Sequence, residues 1–160
     1  MKFFIPCWIV LSAMFPPDPS ASYVRKQART LSKRIAVCNR IANIADEEQA
    51  DPALLIALAF NATRFSKHED PLNIGPLHSC KNCDLARIGT RALIAMIDNH
   101  DGDLCKSLAQ FSGGPQGKCK EGRREFLYAA RVIGMAESLR QILNASSMSD
   151  GTKRPSSSNF

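Results

Sequence analysis

Asp51 followed by Pro52 and then a run of apolar residues to Phe60 most limits what this chain can become. The carboxylate can cap a helix, and the fixed φ of proline suits its first turn. The run beyond it is apolar nearly all round, so it predicts a central, fully buried helix that ends at Phe65. A helix buried on every side needs other helices or sheets around it, and no strand signal longer than a few residues occurs. The expected fold class is all-α.

Flanking segments supply the shell. Leu31, Ile35, Cys38, Ala42 and Ala45 recur at helical spacing, and Arg25, Lys26, Arg29, Lys33, Arg34 and Arg40 alternate with them. This predicts an amphipathic helix over 24–46 with a basic outer face. Asp84 is expected to cap a helix over 85–97, and Asp101-Gly102-Asp103 to introduce a short one over 104–111. Tyr128, Val132, Met135, Leu139 and Ile142 form the stripe of a final helix. The turn-rich stretches 66–82 and 112–122 read as long loops. With 160 residues and 44% hydrophobic content the chain has material for one core.

Met1-Lys2, an apolar run from Phe3 to Phe15 and a Pro-rich, small-residue stretch to Ser22 read as a signal peptide over 1–22. The run falls short of the ~20 apolar residues of a spanning helix, so no membrane span is expected after its removal. The helical domain is then expected over 23–144, and the basic, Ser-rich segment 145–160 as a disordered tail. Loss of Lys2 and Asp18 would leave the net charge at +6. Such a charge suits an anionic wall, a membrane surface or nucleic acid. No zinc-finger, RNP or phosphate-loop pattern occurs and aromatic residues are few, so nucleic acid is not an expected partner.

Without Cys7, five cysteines remain in a compartment where disulfides persist. Cys38, on the apolar face of its helix, is expected to be a buried free thiol. Cys80, Cys83, Cys105 and Cys119 are the disulfide candidates, with three pairings open. A rival use of His78, Cys80 and Cys83 as half of a zinc site lacks a second half with the usual spacing. No metal or other cofactor is expected.

The segment from Asp51 to Phe65, ending Ala62-Thr63-Arg64-Phe65, resembles the first signature of the lytic transglycosylases, where a hydrophobic helix ends in Glu-Ser-x-Phe. Gly75-Pro76-Leu77-His78 is similar to the family's Gly-Leu-Met-Gln loop, with His78 in place of glutamine. Ala109 to Gly114 resembles Ala-x-Tyr-Asn-x-Gly, with Phe111 and Ser112 for Tyr and Asn, and Tyr128 to Val132 resembles the closing Tyr-Val-x-x-Val helix. The four motifs stand in the family's order and span roughly Leu31 to Leu143.

That resemblance implies a lysozyme-like, goose-type helical domain and peptidoglycan glycan strands as the partner. It implies a substrate groove formed by Thr63, Arg64, Gly75, Leu77, His78, Phe111, Ser112, Gly113, Gly114 and Tyr128. In the family one glutamate acts as acid and then base, while the muramic acid's own C6 hydroxyl attacks the anomeric carbon. Ala62 stands at that position, and a methyl group moves no proton. The expectation is therefore an exported, periplasmic or secreted wall-binding protein with catalysis lost. One alternative is an active enzyme whose acid is Glu69 or Asp70. Another is a helical adaptor for envelope-assembly proteins of a secretion or conjugation machine.

Overall fold

The computed structural model describes residues 7–14, 24–75, 82–114 and 118–149. Helices are the regular elements among them: α1 (Cys7–Met14), α2 (Val24–Glu47), α3 (Pro52–Thr63), α4 (Leu85–Asn99), α5 (Leu104–Phe111) and α6 (Arg124–Ser149). The chain is all-α in the described residues. No helix among them is long and apolar enough to cross a membrane.

Helix α3 is the central element. Every side chain from Ala53 to Phe60 is buried, and the helix packs against both α2 and α6. Asp51 caps it by accepting the Ala53 N–H at 3.0 Å. It ends at Thr63, two residues before the expected Phe65, because Arg64 and Phe65 both take left-handed backbone conformations. The Arg64 N–H still reaches the Phe60 carbonyl, closing the last turn. Asp84 and Asp103 cap α4 and α5 in the same way, accepting from the N–H groups of Arg87 and Lys106.

Residues 7–14, expected within a removable signal peptide, form a helix that packs on α2, with Val10 and Leu11 fully buried. Cys38 faces the core as its helical position requires, but it is no free thiol. It is disulfide-bonded to Cys7, because α1 lies over the face of α2 that carries it. At the other end α6 runs past Asn144 to Ser149, so residues 145–149 are helical where a disordered tail was expected. Residues 150–160 lie outside the described set.

Charged contacts fasten α2 to α4. Arg87 bonds Glu47 and Glu48, Arg91 binds both oxygens of Glu48, and Arg40 bonds Asp84 at 2.7 Å. The Glu48 carboxyl is held below its usual range, first by the hydrogen bonds from Arg91 and Arg87. Asp51 accepts from Arg140 and so ties the start of α3 to α6. Cys105 and Cys119 form a disulfide that ties the segment leading into α6 back to α5.

Candidate functional site

Ala62 lies on the last turn of α3 and is half-buried. Its neighbours along the chain determine the local shape. Thr63 is buried and donates its hydroxyl to the carbonyl oxygens of Pro71 at 2.9 Å and Ala59 at 3.2 Å, so it points inward. Arg64 is exposed, and its guanidinium carbon stands 4.3 Å from the centre of the Phe60 ring. Phe65 is buried with its ring 5.8 Å from that of Phe60. Two successive non-glycine residues at positive φ carry strain of order 1–3 kcal/mol each, held by the burial of Phe65 and the stacking of Arg64.

The two carboxylates proposed as substitutes for a glutamate differ in their surroundings. Asp70 accepts the backbone N–H groups of Ile74 and Gly75, one on each oxygen, both at 2.9 Å. Its carboxylate thus closes the loop that carries Gly75, and it faces donors where a proton-delivering acid would need to face substrate. Glu69 is exposed on the same loop. Gly75 itself has positive φ and open space around its α-carbon. Leu77, His78 and Cys80 lie outside the described residues. Cys83 is disulfide-bonded, which removes it as a thiolate ligand. Among the described residues no group of three or more His, Cys, Asp or Glu side chains is arranged to hold a metal ion.

The third motif wraps the end of α5. Phe111 is half-buried against the core, and the Ser112 hydroxyl turns back to the Ala109 carbonyl at 2.9 Å. Gly113 takes φ +87°. At Gly114 a β-carbon would come within 2.7 Å of both the Ala109 carbonyl oxygen and Glu125 Cγ, so this loop touches the first turn of α6 at a distance only glycine permits. Asn61, one residue before Ala62, donates to Met135 Sδ at 3.6 Å and joins the end of α3 to α6. Tyr128 lies between those two contacts along α6. It is half-buried, and burial raises its phenol above the usual value, with the charge of Arg131 opposing the shift.

Helix α6 is therefore a shared wall: the end of α3 meets it at Met135, and the loop after α5 meets it at Glu125. Compared with protein-family models, curated proteins and solved structures, the chain matches none. Its residues alone carry the functional argument.

A cavity of about 320 Å³ opens elsewhere, between the start of α3 and the helices α4 and α5, with Asp51, Leu54, Thr90, Leu93 and Ile97 in its wall. The start of the first motif, Asp51 to Leu55, contributes to its wall, but none of the expected substrate-groove residues does. Its lining comes from the turn before α3 and from three helices, mixing apolar residues with Gln49, Asp51, Thr90 and Asp98, so no local signal identifies it in advance.

Proposed function

We propose that this chain is an exported, peptidoglycan-binding protein of the lytic transglycosylase type whose acid/base chemistry has been lost. What carries the reading is Ala62: the residue at the end of the buried helix, where the resembling family has its glutamate, is a methyl group. Cleavage of a glycosidic bond needs a proton delivered to the leaving oxygen, and a positioned acid/base contributes about 10² to 10⁴ in rate. The use of both Asp70 oxygens by backbone donors argues against that residue taking over. Phe111 and Ser112 also stand where the resembling family has a tyrosine and an asparagine, which removes further polar groups from the motifs. The Cys105–Cys119 disulfide, which lies wholly beyond the expected signal peptide, fits an oxidising compartment.

Digestion of purified peptidoglycan by this protein and by its Ala62→Glu variant tests the reading, with soluble products followed by mass spectrometry and binding by sedimentation. The expected result is binding without products for the unaltered chain and anhydromuropeptides from the variant. Anhydromuropeptides released by the unaltered chain would overturn the loss of catalysis and direct attention to Glu69 and Asp70.

A further inference from the structure

Two sets of basic residues in the described helices and loops contrast with each other. Arg40, Arg87, Arg91, Lys106 and Arg140 are each paired with a carboxylate. Lys118, Lys120, Arg123, Arg124 and Arg131 are exposed, and no ion pair among the described residues involves them. These five stand within a stretch of chain that carries only Glu121 and Glu125 as counter-charges. Glu125 turns its Cγ towards Gly114.

Three features organise this group. The Cys105–Cys119 bond pins the residue between Lys118 and Lys120 to α5, so both lysines are presented from an anchored loop. Arg123 and Arg124 stand at the N-terminus of the 26-residue helix α6. The helix dipole favours acidic residues there, and the free N–H groups of the first turn add to the positive potential. Two arginines at that end oppose helix stability, so folding alone does not account for them. On the same face Leu127 is 54% exposed, with Arg123 four residues before it, Arg124 three before and Arg131 four after. An apolar knob is thus ringed by cations.

We infer that the exposed face of Arg123, Arg124, Leu127 and Arg131 at the start of α6 binds the carboxylate-bearing peptide stems of the murein strand, with Lys118 and Lys120 on the preceding anchored loop adding to the positive potential. This inference rests on the proposed wall-binding function. A stem is short, rich in alanine methyls and furnished with free carboxylates, which complements an exposed leucine among cations. The face adjoins Tyr128 and the 112–114 loop, so a strand passing those residues would bring its stems to it. Single exposed ion pairs contribute little, but several acting along a polymer sum to roughly tenfold or more in affinity and weaken with salt.

The test is sedimentation with sacculi free of phosphate polymers, either untreated or with their carboxylates capped as neutral hydroxyethyl amides. The full chain is compared with an Arg123→Gln/Arg124→Gln/Arg131→Gln variant. The unaltered protein should bind untreated sacculi at least about tenfold more tightly than capped ones, and moderate salt should abolish the difference. The variant should bind both preparations alike while melting at the same or a higher temperature, since it removes cations from a helix N-terminus. Equal binding of the unaltered protein to both preparations would overturn the inference and leave the wall-binding reading standing. A variant that keeps the preference would also overturn it, and absence of binding to either preparation would bring down both.

Discussion

The Thr63 hydroxyl donates to the carbonyl oxygen of Pro71 at 2.9 Å, and both residues are buried. This bond joins the turn after Ala62 to the loop that Asp70 closes around Ile74 and Gly75. Position 63, expected at a substrate groove, therefore belongs to the support beneath the candidate site. Thr63→Val keeps the shape and removes the donor, leaving a buried carbonyl unmet at a cost of about 1–3 kcal/mol. Thr63→Ser should retain most of the stability. Urea unfolding of the two variants checks this, and equal losses would show that the methyl group rather than the hydroxyl matters.

Gly114 and Gly89 are both crowded, but by different neighbours. A β-carbon at Gly114 meets the Ala109 carbonyl oxygen, which is backbone and cannot move aside. Gly114→Ala is expected to cost about 1–3 kcal/mol. At Gly89 the nearest atoms are Ile74 Cγ2 at 2.9 Å and Leu72 Cδ1 at 3.0 Å, ends of side chains that can turn. There the roughly 0.5–1 kcal/mol that alanine gains over glycine inside a helix offsets the crowding. Thermal melts should place Gly89→Ala close to the unaltered protein and Gly114→Ala well below it.

Glu48 sets an acid limit on the α2–α4 contact. Its carboxyl is lowered in the folded state from a usual value of 4.5, chiefly by hydrogen bonds from Arg91 and Arg87. A carboxyl lowered by folding contributes stability above its unfolded value, and that contribution disappears as pH falls through the folded value. The melting temperature should therefore drop on acidification below about 4.5, and Glu48→Gln should flatten that part of the profile. A profile unchanged by the substitution would assign the acid sensitivity to other carboxylates, with Asp103, lowered by the Lys106 N–H, the next to test.

Replacing Cys105 and Cys119 together by serine opens a loop closed across 14 residues of sequence separation. The expected loss is about 3 kcal/mol. Amide exchange should rise across residues 118–120 and stay slow in α3, whose burial does not depend on that bond. Calorimetry and hydrogen exchange on the double variant measure both, and equal acceleration in α3 would indicate that the staple supports the whole core.

Much of the architecture was legible because its signals are local. Asp51, Asp84 and Asp103 each precede an apolar-periodic segment, and each caps the helix it precedes, because a cap bond spans only two or three residues. The unbroken apolar run of α3 likewise announces burial on every side, and α5 has the bounds its pattern predicts. The end of α3 was less legible, since left-handed conformations at Arg64 and Phe65 depend on the Phe60–Phe65 and Arg64–Phe60 contacts.

What the sequence determined by itself was the set of helices, where most of them begin and which face of each is apolar, since periodicity and capping act within a turn or two. Tertiary structure alone decided that Cys38 meets Cys7 and that Asp51 reaches Arg140 from 89 residues away. It also decided which cations are neutralised on α4 and which remain open around Leu127. Those outcomes depend on which helices come to lie side by side, and packing many side chains at once settles that arrangement.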